Sequence, residues 1–301
     1  MAATILKQRL LRLLEAFVQV CTDNQLRYYL AYGSVLGAVR HKGMIPWDDD
    51  IDVHMPREDY EKLQKLPQSV WEGAILKSWR VDKSYQCHFM KLEDTHSTVI
   101  EHLNPLYVGG VYIDIFPLDI VPSDTTLLKE QLASIQRLES KYDIAVLKNG
   151  CDIHGLKNYL TFCYRHKKYF RQSIQEEWEY IANRYNASQG KAYLDYHQMS
   201  DWHKEPMPIE WFGEGKAIEY EGRKYIVPEN YDAYLTHIYG DYMTPPPEDK
   251  REGHEYLYVN LDERVSGKKL KTIVRNLRKK VAFRFSWKDE INYWKTKLKI
   301  K

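Results

Sequence analysis

The sequence predicts an α+β fold, in which a mixed sheet core is followed by a substantial helical C-terminal portion. Two observations lead to this prediction. Up to residue 122, short apolar runs bounded by turn residues alternate with amphipathic helical stripes, as strands and helices packed in layers do. Beyond that point, segments 124–147 and 155–185 are long, periodic and nearly free of Gly and Pro, which is typical of helices.

The same change of texture divides the chain of 301 residues into three expected parts. Residues 1–122 form the core that holds the sheet. Residues 123–266 form a mainly helical region that packs on the core and completes its cleft. Residues 267–301 form a basic amphipathic arm. Because no low-complexity linker separates the parts, we expect them to pack together.

The spacing of apolar residues also predicts the individual elements. It predicts helices over 5–21, 35–40 and 57–66, strands over 28–32, 50–55, 74–79, 86–92, 97–101 and 111–116, and a hairpin over 217–227 around Glu221 and Gly222.

The composition excludes several classes of protein. Hydrophobic residues make up 44% and charged residues 29%, which excludes wholesale disorder. No apolar run approaches the roughly 20 residues that span a bilayer, and the N-terminus lacks the apolar stretch of a signal peptide. We therefore expect a cytoplasmic protein. The four Cys show no CxxC and no regular spacing, which predicts reduced thiols rather than a zinc site or disulfides.

Four carboxylates, those of Asp48, Asp49, Asp50 and Asp52, stand within five positions of one another. Adjacent carboxylates repel, so such a cluster must be solvated or neutralised by cations. Apolar residues alternate with the last two aspartates, which favours an ordered strand over a solvated acidic turn. On a strand, Asp50 and Asp52 would share one face about 7 Å apart and could hold a divalent cation such as Mg²⁺.

Gly33-Ser34 and Asp114 are two further candidate features of a functional site. The Gly-Ser pair follows a predicted strand, opens a predicted helix and precedes Asp50 by 15 intervening residues. Its backbone could meet an anion such as a phosphate, although a plain turn is the alternative. Asp114 stands between two Ile residues of an apolar strand, so it is either exposed to solvent at the edge of the sheet or a functional residue. Together these are the parts of metal-assisted phosphoryl transfer.

These segments resemble the nucleotidyltransferase superfamily, whose motif is hG[GS], then [DE]h[DE]h, then h[DE]h. They resemble more closely the LicD/fukutin family of phosphocholine-type transferases. The resemblance is carried by YGSVLGAVRH at 32–41, IPWDDDIDV at 45–53, MPREDY at 55–60, KLED at 91–94, YIDIFPLD at 112–119 and YGDYM at 239–243. It is dense over residues 5–120 and sparse over 225–255. The gap between the Gly-Ser pair and the aspartates is longer than in the general superfamily and is usual for this family.

The resemblance implies a nucleotidyltransferase-like core and a transferase of substituted phosphate groups. Such a protein would move phosphocholine from CDP-choline to a sugar hydroxyl of a cell-surface glycan precursor (teichoic acid, capsule or lipopolysaccharide) and release CMP. The acceptor could be lipid-linked. Asp50, Asp52 and Asp114 would be catalytic and would hold Mg²⁺, with Mn²⁺ as the alternative ion. Asp114 would either complete the metal site or deprotonate the acceptor.

The resemblance also implies donor contacts. Residues expected to bind the donor phosphates are Gly33, Ser34, Arg40 and Lys91, the arginine through its bidentate fork. For the two bases, a surface salt bridge is the alternative. Supporting residues are expected to be Trp47, Asp48, Asp49 and His254, with the two aspartates orienting the loop rather than binding the metal.

Residues 267–301 hold 13 Lys and Arg against 2 Asp and Glu, so the rest of the chain is net acidic. Leu270, Ile273, Val274, Leu277 and Val281 form an apolar stripe, which with bases on the other faces is typical of a helix lying on an anionic membrane. We therefore expect peripheral attachment at the inner face of the membrane. The alternative is a helix docked on the acidic body. Nucleic-acid binding is not expected, since no motif for it accompanies the charge.

Two other functions stay open. One is the transfer of another phospho-alcohol, such as ribitol, glycerol or ethanolamine phosphate, from its CDP donor, because the choice of choline rests on the resemblance alone. The other is a non-catalytic scaffold at the membrane surface. Intact Asp50, Asp52 and Asp114 argue against a scaffold, since it would have no use for clustered carboxylates.

Overall fold

The computed structural model describes residues 2–82, 85–103, 106–150, 171–188, 190–196, 206–251, 253 and 256–284. Its helices are α1 (Ala2–Asp23), α2 (Tyr32–His41), α3 (Arg57–Gln64), α4 (Thr125–Gly150), α5 (Arg171–Asn183), α6 (Tyr231–Tyr239) and α7 (Gly267–Arg284). Its strands are β1 (Tyr29–Leu30), β2 (Asp52–Pro56), β3 (Ala74–Lys77), β4 (Met90–Asp94), β5 (Thr98–Leu103), β6 (Leu106–Gly109), β7 (Tyr112–Val121), β8 (Ala192–Leu194), β9 (Met207–Pro208), β10 (Lys216–Tyr220), β11 (Arg223–Val227) and β12 (Tyr258–Asn260).

A mixed sheet runs in the order β1-β2-β7-β4-β3, and β8 and β9 extend it from the far end of β7. β2 and β7 are parallel, while the other pairs of this sheet are antiparallel. The mixed sheet with its helices confirms the predicted α+β fold. Because β7 lies between β2 and β4, its polar residue Asp114 is not at a sheet edge.

The predicted N-terminal helix is confirmed as α1, which packs on the central strands β4 and β7. Its stripe of Leu10, Leu14 and Phe17 is buried in the same apolar cluster as Leu92 and Ile113 of the sheet. Burying each such side chain contributes about 1.5–3 kcal/mol. The apolar spacing therefore predicted both the helix and the face that it buries.

A second apolar cluster joins the helical region to the sheet. Trp178 of α5 and Ile135 of α4 are buried with Val121, at the end of β7, and with Tyr196 after β8. The helix predicted over 155–185 is confirmed for 171–183, and 151–170 lie outside the described residues. The boundary predicted at residue 122 stays a prediction.

The predicted hairpin is confirmed as β10 and β11, paired from Lys216–Val227 to Tyr220–Arg223. Glu221 and Gly222 at its tip have φ of 52° and 76°, as a tight hairpin turn requires. Glu221 also holds the loop that follows α2: its N–H donates to Lys42 O at 2.9 Å, and Oε1 accepts from the Met44 N–H at 2.8 Å. The hairpin therefore supports the loop that leads to the aspartates.

Helix α7, the described part of the basic arm, docks on a second, three-stranded sheet of order β12-β5-β6. Leu270, Ile273, Val274 and Leu277 share an apolar cluster whose sheet residues include Ile100. The stripe that we interpreted as a membrane-facing surface therefore contacts protein, at least up to residue 277. Residues 285–301, the rest of the predicted arm, lie outside the described residues.

Two remaining expectations concern membrane-spanning helices and cysteines. In the described part of the chain, no helix is both long and apolar enough to cross a bilayer. Cys21 and Cys87 are free thiols, as expected, and Cys151 and Cys163 lie outside the described residues.

Several strand limits differ from the predicted ones. The strand predicted over 50–55 begins only at Asp52, and the strand predicted over 28–32 ends at Leu30, because Tyr32 already begins α2. The strand predicted over 111–116 continues to Val121, past Pro117, because β8 provides hydrogen-bond partners for its last three residues. The short strands β6, β8, β9 and β12 were not predicted.

Candidate active site

Asp52, Asp114 and Lys91 form one row across three neighbouring strands. Asp52 of β2 lies opposite Asp114 of β7, and Lys91 of β4 lies opposite Asp114 on the other side. Directly paired residues of adjacent strands project from the same face of a sheet. Two carboxylates and an ammonium that are far apart in sequence therefore meet on one face.

The start of α2 is hydrogen-bonded to the first residue of β2. The Asp52 N–H donates to Ser34 Oγ at 3.0 Å, and the Ala31 N–H donates to Asp52 O at 2.9 Å. Ser34 is buried, so its hydroxyl satisfies a strand N–H that would otherwise be costly to bury. The Gly-Ser turn and the aspartate strand therefore adjoin, as the predicted site requires.

Gly33 lies against the carboxylate of Asp48. A Cβ on Gly33 would stand 2.6 Å from Asp48 Oδ2, so a larger residue would displace this side chain. The Asp48 carboxylate thus reaches the first turn of α2, where the helix dipole favours an anion. This is also where we predicted a donor phosphate. The contact fits the loop-orienting role expected for Asp48.

We call Asp48, Asp49, Asp50 and Asp52 the acidic cluster. Asp50 precedes β2, so the prediction that it alternates with Asp52 on one strand is wrong. The two remain electrostatically linked, because burial raises the pKa of Asp52 well above its usual value and the charges of Asp50, Asp114 and Asp48 raise it further. This repulsion is the kind that a bound cation would relieve.

Three tyrosines from later segments surround the acidic cluster: Tyr220 at the end of β10, Tyr239 at the end of α6, and Tyr256. Burial raises the pKa of each phenol, and the aspartates of the cluster raise it further. These tyrosines therefore stay protonated at neutral pH and can donate hydrogen bonds. The sequence analysis did not single them out, because they come from parts of the chain remote from the cluster.

Lys91 is nearly buried and is held by carboxylates. Its Nζ lies 3.2 Å from Glu101 Oε1 and 3.4 Å from Asp114 Oδ1, and 3.2 Å from the centroid of the Tyr112 ring. Burial by itself lowers the pKa of Lys91, but the charges of Asp114 and Glu101 raise it above the usual value, so the ammonium stays charged. Lys91 thus neutralises part of the charge beside Asp52, and its predicted contact with a donor phosphate stays a prediction.

Arg40 and Arg251 approach the same aromatic ring. The guanidinium carbons lie 5.9 Å and 4.7 Å from the ring centroid of Trp47, whose backbone leads directly into the acidic cluster. Arg40 was predicted as a donor contact and Arg251 was not. The only signal for Arg251 was its position just after the three prolines at 245–247. His254, predicted as a supporting residue, lies outside the described residues.

A buried polar group lies farther along the same face of β2. His54 Nε2 is 3.3 Å from Asp195 Oδ2, which also accepts from Tyr32 Oη at 2.7 Å. The Tyr32 N–H in turn donates to Tyr234 Oη at 3.0 Å. Tyr32 has a φ of 44°, an uncommon conformation for a residue with a side chain. This group fixes the start of α2 relative to β2.

The residues of this face fit a hard cation by their chemistry. Aspartate oxygens are the ligands that Mg²⁺ prefers, and the pKa of Asp52 is raised first by burial and then by the nearby charges of Asp50, Asp114 and Asp48. Within the described residues, however, no three Asp, Glu, His or Cys side chains are gathered closely enough to hold a metal ion by themselves. A cation held here would therefore need ligands from the donor as well, as phosphate-bound Mg²⁺ usually has.

Comparison with known proteins links this geometry to a family. The family model described as "LicD/FKTN/FKRP, nucleotidyltransferase domain" matches residues 25–145. The matched range contains α2, β2, β4 and β7, and hence Gly33, Ser34, Asp52, Lys91 and Asp114. The chain carries a LicD-family domain.

Relatives of this chain differ in how much of it they match. A lipopolysaccharide cholinephosphotransferase, LicD, of Haemophilus influenzae is 27% identical over 83% of this chain and 96% of its own length. The ribitol 5-phosphate transferase FKRP of Homo sapiens is 38% identical, but over only 17% of this chain and 12% of its own length. An uncharacterized protein of Rickettsia prowazekii is 47% identical over 17% of this chain and 19% of its own length.

The LicD-family domain does not contain the whole site. Tyr220, Tyr239 and Arg251 come from beyond residue 145, where the family match ends, yet they surround the acidic cluster or contact Trp47. The match to the Haemophilus influenzae protein covers most of the chain, so similarity is not confined to the domain. The later segments of the chain therefore contribute to the site that the domain begins.

Proposed function

We propose that the chain is a phospho-alcohol transferase that moves phosphocholine from CDP-choline to a sugar hydroxyl of a cell-surface glycan precursor and releases CMP. The observation that carries this proposal is the pairing of Asp52 and Asp114 across parallel strands, with Ser34 bonded to Asp52. Carboxylates so gathered beside a helix N-terminus suit a reaction on a diphosphate.

Similarity supports the choice of choline. The relative named a lipopolysaccharide cholinephosphotransferase aligns with 83% of this chain and nearly all of its own length. The relative named a ribitol 5-phosphate transferase aligns over a short segment. That segment favours ribitol phosphate as the second candidate for the transferred group. Glycerol and ethanolamine phosphate complete the set of donors worth testing.

Asp50, Asp52 and Asp114 would hold Mg²⁺, or Mn²⁺, between the acidic cluster and the donor. A bound divalent ion neutralises the diphosphate and stabilises the charge that develops as its bridging bond breaks. With this charge compensated, Asp52 would be ionised despite its raised pKa.

The chain's own groups would position the reactants and move one proton. The acceptor hydroxyl oxygen forms a bond to the phosphorus that carries the alcohol, and the bond from that phosphorus to the bridging oxygen breaks. CMP leaves with that electron pair. The hydroxyl proton passes to a carboxylate, and Asp114 would take it if Asp50 and Asp52 hold the cation without it. Gly33, Ser34 and Arg40 would contact the phosphates.

Membrane contact through the basic arm is part of the proposal in a revised form. The apolar stripe of α7 is used for docking, so headgroups would meet the exposed bases on the other side of the helix, such as Lys268, Lys271 and Lys279. Each base near an anionic surface contributes about 1 kcal/mol of attraction. This attraction would bring the enzyme to a lipid-linked acceptor.

Thermal unfolding in the presence of a panel of CDP-alcohols tests the donor. A ligand at a hundred times its dissociation constant stabilises the folded state by about 2.7 kcal/mol, so CDP-choline with Mg²⁺ should raise Tm. CMP and the CDP-linked forms of ribitol, glycerol and ethanolamine serve as the comparison. If CDP-ribitol raises Tm and CDP-choline does not, the donor is wrong and the reaction class stands. If no CDP-alcohol raises Tm, the proposed class is wrong.

A further inference from the structure

Two cationic side chains from distant segments converge on one ring beside the acidic cluster. The guanidinium carbon of Arg40 lies 5.9 Å from the centroid of Trp47, and that of Arg251 lies 4.7 Å from it. A cation over an aromatic face gains about 0.5–1 kcal/mol at an exposed site. We call Arg40 and Arg251 the arginine pair. The cation–π attraction is too small to hold two like charges together, so the ring only orients the two side chains.

Backbone carbonyls hold each member of the arginine pair in place. Arg40 Nη1 donates to Tyr242 O at 2.8 Å, and Arg251 Nε donates to Pro246 O at 2.9 Å. Both acceptors belong to the segment that follows α6 and contains the three prolines. Arg40 Nε also lies 3.4 Å from His41 Nδ1, and Arg251 Nη1 lies 3.7 Å from the exposed carboxylate of Glu248. A guanidinium has five N–H donors, so each arginine keeps further donors for an oxyanion.

The arginine pair lies at the acidic cluster. A Cβ on Gly253 would stand 2.8 Å from Trp47 O and 3.5 Å from Asp49 Cγ, so the chain just after Arg251 packs directly on the start of the cluster. Burial lowers the pKa of Arg40, and the neighbouring charge of Arg251 lowers it further. An anion bound by both guanidiniums would offset this repulsion.

We propose that Arg251, together with Arg40, binds the diphosphate of the nucleotide-linked donor beside the acidic cluster. The ligand class is a nucleoside diphosphate ester, bound by two guanidiniums, while a cation held by the carboxylates would bind its other oxygens. Bidentate contact to phosphate oxygens is the geometry for which arginine is suited and lysine is not. The inference rests on the proposed function, because it assigns a residue to the donor of that reaction.

Calorimetric titration of the full chain in Mg²⁺ buffer tests this role. The probes are CDP, which carries the diphosphate, inorganic pyrophosphate, which carries it without the nucleoside, and cytidine, which lacks it. The variants are Arg251→Ala and Arg251→Lys, with Lys250→Ala as the control, since Lys250 is an exposed base of the same segment. Circular dichroism and Tm without ligand verify that each variant is folded.

We expect Arg251→Ala to weaken the binding of CDP and pyrophosphate at least tenfold and to change the binding of cytidine less than twofold. Arg251→Lys should recover only part of the loss, and Lys250→Ala should match the wild type. If Arg251→Ala and Lys250→Ala bind CDP with equal affinity, the inference is overturned and the proposed function is unaffected. The same holds if Arg251→Ala loses affinity for CDP and for cytidine to the same extent. If pyrophosphate binds and needs Arg251 while CDP does not bind, the inference about Arg251 is supported and the proposal of a CDP-linked donor is refuted. If neither CDP nor pyrophosphate binds, both the inference and the proposed function are refuted.

Discussion

At the scale of single residues, Asp52 is a carboxyl group whose surroundings oppose its ionisation. Burial and the nearby charges of Asp50, Asp114 and Asp48 raise its pKa well above the usual 3.8. Its folded form therefore binds a proton more tightly than the unfolded chain does. The stabilisation from that proton is complete below about pH 3.8 and is lost as the pH rises through the raised pKa.

Replacing Asp52 with Asn should remove this penalty. In metal-free buffer at pH 7, Asp52→Asn should unfold at a temperature equal to or higher than that of the wild type, because the repulsion within the acidic cluster is relieved. The advantage should shrink as the pH falls toward 4, where the wild-type carboxyl is protonated too. Thermal melts from pH 4 to pH 8 in EDTA check this, and a variant less stable than the wild type at pH 7 would contradict it.

Ser34 should matter to stability as well as to the site. Ser34→Ala removes the acceptor for the buried Asp52 N–H and should cost about 1–3 kcal/mol. Ser134→Ala is the matched control, because that hydroxyl bonds to Glu130 O on the exposed face of a helix and should change stability by less than about 0.5 kcal/mol. Urea unfolding measures both, and equal small losses would mean that Ser34 does not support the strand.

At the scale of elements, a buried ion pair joins α3 to the end of the central strand. Arg57, the first residue of α3, donates to both carboxylate oxygens of Asp119 at 2.7 Å. Asn186 adds a hydrogen bond to the same carboxylate at 2.6 Å. Because β7 carries Asp114 as well as Asp119, this pair also fixes the strand of the candidate site.

Asp119→Ala should destabilise the protein by about 3–5 kcal/mol, since it leaves the buried guanidinium of Arg57 with only its longer contacts to Glu61 at 3.4 Å and Glu179 at 3.9 Å. Adding Arg57→Met should recover part of the loss by removing that charge. Glu15→Ala breaks the exposed pair with Arg223 and should cost at most about 1 kcal/mol. Denaturant unfolding of all four proteins checks the order, and Asp119→Ala within 1 kcal/mol of Glu15→Ala would contradict it.

Local sequence patterns predicted the long elements well and the short ones poorly. The stripe of α1 and the turn residues of the β10–β11 hairpin act within one element, so spacing alone revealed them. The last residues of β7 form a strand because β8 pairs with them across more than seventy positions. Pro117 within the strand hid this extension, since proline usually ends a ladder.

The candidate site, too, was only partly predictable, because local patterns do not show contacts between separate segments. Ser34, Asp52 and Asp114 lie in segments whose order along the chain already suggested a phosphoryl-transfer site. The contacts of Lys91 with Glu101 and of Arg251 with Trp47 depend on how separate sheets and loops pack. No periodicity within one segment encodes such contacts.

At the scale of the whole molecule, the packing of α7 decides how the basic arm works. Its apolar stripe lies against Ile100 and Leu103, so the stripe stabilises the protein and the bases face away from it. The sequence left open whether the helix docks or inserts, because the same amphipathic pattern serves both. The docked helix restricts any membrane contact by α7 to its charged face.

Two variants separate docking from membrane contact. Val274→Asp buries a charge in the docking surface and should lower Tm by several degrees. The triple variant Lys268→Glu, Lys271→Glu and Lys279→Glu should leave Tm unchanged and weaken binding to phosphatidylserine vesicles, because each lost base removes about 1 kcal/mol of attraction. Vesicle sedimentation at low and physiological salt measures this, and unchanged binding by the triple variant would refute membrane contact through α7.

The most direct test of the account is CMP release from CDP-choline in Mg²⁺ with a glycan acceptor. Wild type, Asp52→Asn and Asp262→Asn are compared, the last being an exposed aspartate outside the site. We predict that wild type and Asp262→Asn release CMP at equal rates and transfer phosphocholine to the acceptor, and that Asp52→Asn is slower by about a hundredfold or more. Release of CMP by Asp52→Asn at the wild-type rate would contradict the assignment of the reaction to this face of the sheet.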